Sequence, residues 1–332
     1  MIIAGASAMI ILWWSRGRDI MTHWRESNIE GYDAWIGVSA QVSVCIVPGL
    51  GAKAVSLRST RTGREWIWRS EKALGNEGYG TPFPSGDESG WDEMFPCIDA
   101  GQYPLEPWKG RPIPDHGEVW SLAWEAHSTG AALHCRVQGK QFPYLLEKTY
   151  SFAADGKLRI DYAVTNTSAA PFSFLWAAHP LLEVRAGMKL HVPNGLDEIE
   201  ISYSAEERLG VFGDRQPWPL APTAGGTVDL SVTEANEGRF AEKYYFTGKA
   251  ETGVAAVSDP ATGESITFSY PAEQVPYLAV WANYGGFGGN YQLALEPATG
   301  RMDHLGEAVR RSEVAVVAGG EVYRWHLEVS LI

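Results

Sequence analysis

Short runs of alternating apolar and polar residues, broken every few positions by Gly, Pro, Asn or Asp, fill the chain from Trp35 to its C-terminus. This punctuation constrains the fold most, because successive side chains of a strand point to opposite faces and a period of two marks a strand with one face on a core. Residues 41–47 read Gln, Val, Ser, Val, Cys, Ile, Val and stop at Pro48-Gly49-Leu50-Gly51. Residues 151–166, SFAADGKLRIDYAVTN, are a hairpin signal with Asp155-Gly156 at the tip. Further strands are expected at 54–58, 65–68, 120–126, 131–137, 145–152, 157–165, 172–177, 189–192, 243–246, 253–257, 265–270, 277–281, 291–296 and 321–330. Only residues 307–314 and parts of 71–77 have a helical texture. Many short strands without strand–helix alternation predict an all-β chain, a large antiparallel β-sandwich. Residues 35–332 are read as a single domain behind an N-terminal extension, residues 1–34, whose status the sequence leaves open.

Residues 1–14 are almost wholly apolar and are followed by Ser15-Arg16-Gly17-Arg18. The run is too short for a comfortable membrane span, and its arginines come after it rather than before it as in a secretory signal. Met21 is a candidate true start, with a weak signal anchor as the rival reading. The net charge is −13, with no basic stripe. That argues against nucleic acid and against an anionic membrane surface as partners. The three cysteines, Cys45, Cys97 and Cys135, form no CxxC pair, which suits a reducing compartment and predicts a cytoplasmic protein. No Cys/His spacing reads as a zinc site, and HExxH is absent, so no metal site is expected.

Chemistry-bearing residues gather in a few stretches. In YQLALEPATG, residues 291–300, Tyr291, Leu293 and Leu295 alternate with Gln292, Ala294 and Glu296, and Pro297 is expected to end the strand just after Glu296. Upstream, Trp281-Ala282-Asn283-Tyr284 leads into a loop with Gly285, Gly286, Gly288 and Gly289, where backbone or ligand can approach closely. A carboxylate beside an aromatic-flanked glycine loop suits a sugar site; a surface Glu closing a strand is the plainer reading. Residues 80–101, centred on Trp91-Asp92-Glu93, read as a loop rich in acids and aromatics, and PIPDHGEVW, residues 112–120, places His116 in a second loop. An apolar strand delivers His179 at its end, where Pro180 disfavours helix for the residue before it. Histidine gives and takes protons near neutral pH; the alternative is a half-buried His satisfied by a backbone carbonyl.

His116-Gly117 in an early loop, His179-Pro180 ending an apolar strand and Leu295-Glu296-Pro297 near the C-terminus occur in an order that resembles the aldose 1-epimerase family, from about Val38 to the C-terminus. The run VPYLAVWANYGG…YQLALEPATG carries the most of it. The resemblance implies the galactose mutarotase-like sandwich. It also implies a cofactor-independent isomerase that interconverts α and β anomers, with His179 as general acid, Glu296 as general base and His116 as a substrate ligand. Trp91 and Trp281 are expected to stack on the sugar. The family's Asn-Arg-Ile is missing; the stretch here reads Phe95-Pro96-Cys97-Ile98, and Lys243 is the candidate substitute donor.

The expected partner is a small-molecule aldose, free or modified, and the expected assembly a monomer or homodimer. Two rival readings remain at this stage. One is a carbohydrate-binding sandwich without turnover. The other is a polysaccharide lyase or hydrolase, in which Asp92 or Glu93 would pair with Glu296 across a glycosidic bond. A phosphorylated sugar would need cations from Lys109, Arg111 or Lys243.

Overall fold

The structure, a computed structural model, describes residues 23–332. The readings of residues 1–14 and of Met21 lie outside the described residues. Among the described residues, an 11-stranded and an 8-stranded antiparallel sheet carry most of the chain. The larger sheet runs His23–Ile29, Tyr32–Val38, Val42–Val47, Lys53–Ser59, Trp91–Met94, Ala177–Pro180, Tyr291–Ala298, Tyr277–Tyr284, Phe240–Phe246, Glu198–Ser204, Arg215–Pro217. The smaller is built around the expected hairpin, Tyr144–Phe152 with Leu158–Asn166, flanked by Leu133–Gln138 and Val322–Leu331. The fold is the all-β sandwich that the alternation predicts.

The two sheets share one core. Leu293 and Leu295, Leu278 and Val280, and Tyr244 and Phe246 point from the large sheet into the same cluster as Leu146, Ile160, Val257 and Leu327 of the small one. Each such side chain contributes roughly 1.5–3 kcal/mol on full burial. These are alternate residues of their strands, so the intervening residues face the opposite side of the large sheet, where Phe83 and Trp120 pack with Ala294.

Several expectations shift. The hairpin of His23–Ile29 with Tyr32–Val38 joins the large sheet, so the expected boundary at residues 34/35 falls inside a strand. The single α-helix among the described residues is Leu305–Arg311, and residues 71–77 are not helical. Residues 65–68 make only isolated bridges, and 120–126 opens with a short 3₁₀ turn, Val119–Ser121. Residues 172–177 split: Phe172–Phe174 pairs with Ala315–Val317, and Ala177–Pro180 enters the large sheet after the Trp176 N–H bonds the Thr299 hydroxyl. Trp91–Met94, read as loop, is a central strand. Its acids signal solvent in a sequence, yet all four residues are buried and the charges are paired inside the protein. Pro297 does not end its strand, which continues to Ala298. On that side the neighbouring strand pairs only at Ala298, so a residue without an N–H is tolerated beside it.

The three cysteines are free and buried. No helix among the described residues is long and apolar enough to cross a membrane.

Candidate active site

Cross-strand register assembles the site from segments far apart in sequence. Asp92 lies opposite His179. Ala177 pairs with Ala298, which brings His179 level with Glu296. Glu296 lies opposite Ala279, and Ala279 opposite Tyr245. Residues directly opposite share a face, so a single line across the middle of the sheet carries Asp92, His179, Glu296, Ala279 and Tyr245 on the side away from the core. Lys53 extends it at one end, its Nζ 3.2 Å from Asp92 and 2.6 Å from Asp87.

At the centre of the line, His179 Nε2 is 3.8 Å from Glu296 Oε1. Glu296 is fully buried and His179 nearly so. The other carboxylate oxygen, Oε2, accepts from Lys243 Nζ at 2.5 Å, and Lys243 also lies 3.5 Å from Asp303 Oδ1. Asp303 is held in turn by the Tyr245 hydroxyl at 2.8 Å and by the Ser202 hydroxyl. Two polar atoms of the pair, His179 Nδ1 and Glu296 Oε1, make no hydrogen bond within the described residues. Burial of an unpartnered polar atom costs about 1–3 kcal/mol, and such atoms are expected where a ligand completes the bonding.

Burial dominates the proton affinities. It raises the Glu296 carboxyl above the ordinary carboxylate range, and the Lys243 ammonium opposes that without cancelling it. Burial also holds His179 well below an ordinary histidine, helped by its neighbours His116, Lys243 and Lys53. His179 is therefore neutral at rest near neutral pH, and Glu296 holds a proton more readily than an ordinary carboxylate. Lys243, despite its burial, is held above an ordinary lysine by Glu296 and Asp303, so it stays charged. Asp92 is pushed up to about 6 by burial, against the pull of Lys53.

Over this line opens a cavity of about 340 Å³, lined among others by Phe83, His116, His179, Lys243, Trp281 and Asp303. Glu296 sits just under its floor, between His179 and Lys243. His116 reaches it from the loop before the Val119–Ser121 turn. A left-handed backbone (φ 58°) turns the residue inward, its Nδ1 lies 2.9 Å from Asp115 Oδ1, and its ring stacks on Phe83 at 4.2 Å. The His116 and His179 rings are 5.2 Å apart. Gly117 follows at φ 73°, packed so that a Cβ would lie 2.1 Å from the Phe95 carbonyl oxygen; only glycine fits there. Burial would raise Asp115, but its bonds to His116 and to the Phe83 N–H outweigh this and hold it below an ordinary aspartate.

The structure thus brings together His179, Glu296, His116, Lys243 and Trp281, all singled out in the sequence. Trp91 is not among them. It precedes Asp92 by one residue and so points to the opposite face, into the core, edge-on to Phe268 at 5.7 Å. The same alternation removes Glu93 from any pairing with Glu296: its carboxylate lies between the sheets, 3.4 Å from Lys148 Nζ, with bonds from Tyr162 and Trp176. Lys109 and Arg111 do not line the cavity; the Arg111 guanidinium bonds the Gln141 carbonyl instead. Sequence reasoning missed Phe83, Asp303 and Gln292. Phe83 and Asp303 lie in loops without periodicity, and Gln292 looked like the solvent side of its strand.

The model of the aldose 1-epimerase family matches residues 39–330. The chain belongs to the aldose 1-epimerase family. Its fold is shared with the Slr1438 protein of Synechocystis, at 17% identity and a TM-score of 0.65, covering 97% of this chain and 99% of that one. A galactose mutarotase-like protein of Lactobacillus casei gives 19% identity and a TM-score of 0.64, covering 93% and 100%. One from Clostridium acetobutylicum gives 13% identity and a TM-score of 0.65, covering 94% and 98%. At these identities the likeness speaks to the fold. No curated protein matches the chain. In this aldose 1-epimerase family chain, the Phe95–Ile98 stretch contributes Ile98 to the cavity wall, and Lys243 is the only Lys or Arg among the described lining residues.

Proposed function

We propose that the protein is an aldose 1-epimerase in activity, interconverting the α and β anomers of a sugar by opening and closing its hemiacetal. Opening removes a proton from the C1 hydroxyl and delivers one to the ring oxygen. Both oxygens are bonded to C1, so acid and base must reach two atoms a bond angle apart. The observation that carries the reading is the His179–Glu296 pair, 3.8 Å between Nε2 and Oε1, under a cavity floored by Lys243. Glu296, ionised, takes the C1 proton; His179, in its protonated form, gives one to the ring oxygen. The C1–C2 bond then rotates and the roles reverse on closure. Each transfer is worth about 10²–10⁴-fold. His179 is neutral at rest, so the working form is the one that places a proton on it while Glu296 is ionised. Lys243, in contact with Glu296, favours that proton on His179 rather than on the carboxylate. Trp281 offers its ring to the sugar's C–H face, and His116 its free nitrogen to a hydroxyl.

The test is polarimetry on fresh α-glucose and α-galactose. The protein should speed the decay of rotation, and Glu296→Gln, which keeps the shape and removes the base, should lower kcat by about 10²–10⁴-fold. Full activity in that variant removes Glu296 from the mechanism. Sugar binding without any rate enhancement by the unmodified protein would favour a binding sandwich instead.

A further inference from the structure

We propose that the cavity holds two linked sugar rings, so that the preferred substrate is the reducing end of a neutral disaccharide or longer oligosaccharide rather than a free monosaccharide. This rests on the anomerisation reading above and extends the site outward from the acid–base pair. The Tyr291–Ala298 strand sets the length. Glu296 and Gln292 are on the same face four residues apart, about 13 Å at ~3.3 Å per residue. A pyranose ring, built from bonds of about 1.5 Å, spans roughly half of that between O1 and O4. A single ring engaged by His179 and Glu296 therefore stops short of Gln292.

Gln292 is nevertheless placed to bind. It is 3% exposed, it lines the cavity, and its side-chain Oε1 makes no hydrogen bond within the described residues. A buried acceptor left in this state costs about 1–3 kcal/mol, which a hydroxyl of a second ring would relieve. Between the two ends the cavity is lined by Trp281, which lies opposite the buried Ala294 across the strand pair. Trp281 is flanked by Tyr203 and Phe287, at 6.5 and 6.0 Å between ring centroids. These two line the cavity yet are 45% and 43% exposed. Three aromatic rings along a cavity mouth suit the apolar C–H faces of pyranoses better than they suit water. Phe287 is fixed rather than adrift on its glycine loop. Asn283 Nδ2 donates to its carbonyl at 2.9 Å, and its N–H donates to Asn283 Oδ1 at 3.0 Å.

Charge narrows the class. Glu88, Asp99, Asp115 and Asp303 line the cavity, while its cation, Lys243, is already engaged by Glu296 and Asp303. A phosphate or uronate on either ring would meet carboxylates without a free cation, so the second ring is neutral.

The experiment compares maltose and lactose with glucose, and 4-galactobiose with galactose, by polarimetric kcat/KM and by calorimetric binding to the full chain. Gln292→Leu and Phe287→Ala are compared with the unmodified protein; the first conserves volume and the second lies on an exposed loop, so both should fold. At least one disaccharide is expected to exceed its reducing monosaccharide by tenfold or more in kcat/KM, and the ratio should fall toward one in both variants. Monosaccharides turned over with no disaccharide advantage, or a ratio unmoved in both variants, overturn the two-ring site and leave the proposed activity standing. If no sugar is anomerised, the activity fails and calorimetry decides this inference alone. Tighter disaccharide binding that both variants weaken supports it, and equal or absent binding overturns it.

Discussion

Lys243→Met isolates what the ammonium does for the acid–base pair. The side chain is about nine-tenths buried, its Nζ 2.5 Å from Glu296 and 3.5 Å from Asp303. Breaking a buried pair by removing one partner costs about 3–5 kcal/mol. A domain with about 5–15 kcal/mol of stability survives that, and part of the cost is avoided because Glu296 can take up a proton. The sign follows from the contacts. The ammonium favours ionised Glu296 and disfavours protonated His179, so its loss raises both proton affinities and moves the pH profile of kcat/KM to higher pH. The maximum also falls, because Lys243 touches Glu296 directly and its removal shifts the shared proton from His179 to the carboxylate, the unproductive side. If only a third of the 3–5 kcal/mol appears in that shift, it reaches about the 1.36 kcal/mol that corresponds to tenfold. The expected result is a maximum at least tenfold lower and displaced to higher pH, with Lys243→Arg, which keeps the charge, close to the original profile. The assay is polarimetry from pH 5 to 9, with the uncatalysed rate subtracted at each pH. A Met variant whose profile keeps its position and height would refute the claim that Lys243 acts through Glu296.

Other outcomes are open to direct measurement. In the unmodified protein the working form has a proton on His179, which burial holds below an ordinary histidine, so kcat/KM should peak on the acid side of neutrality and fall as pH rises past 7; a rise between pH 7 and 8 contradicts this. Trp281→Ala should raise KM by about tenfold with a smaller effect on kcat, as loss of uniform binding does; an unchanged KM for every sugar bound would take the ring out of the site. Lys148→Met leaves Glu93 buried between the sheets without its cation. Denaturant unfolding should show about 3–5 kcal/mol of lost stability, and a loss under about 1 kcal/mol would mean that Tyr162 and Trp176 satisfy the carboxylate alone.

The sequence by itself determined the layer architecture and half of the site. Alternation at 291–296 put Leu293 and Leu295 on the core and Glu296 on the other face, and the core cluster holds those leucines. The His116-Gly117 loop, the His179-Pro180 strand end and the Leu295-Glu296-Pro297 run were readable through their order, which resembles that of the family. What the tertiary structure decided was where the other face looks. A period of two separates two sides of a sheet but does not say which side meets water, and Glu296 and Gln292, on the more polar face of their strand, are both buried. The same gap misplaced Trp91: its chemistry suits a sugar, but strand parity, invisible while residues 80–101 read as loop, sends it into the core and Asp92 toward His179. The pairing of Ala177 with Ala298 is a contact between residues 121 positions apart. No local pattern encodes it, and it alone sets an imidazole beside a carboxylate.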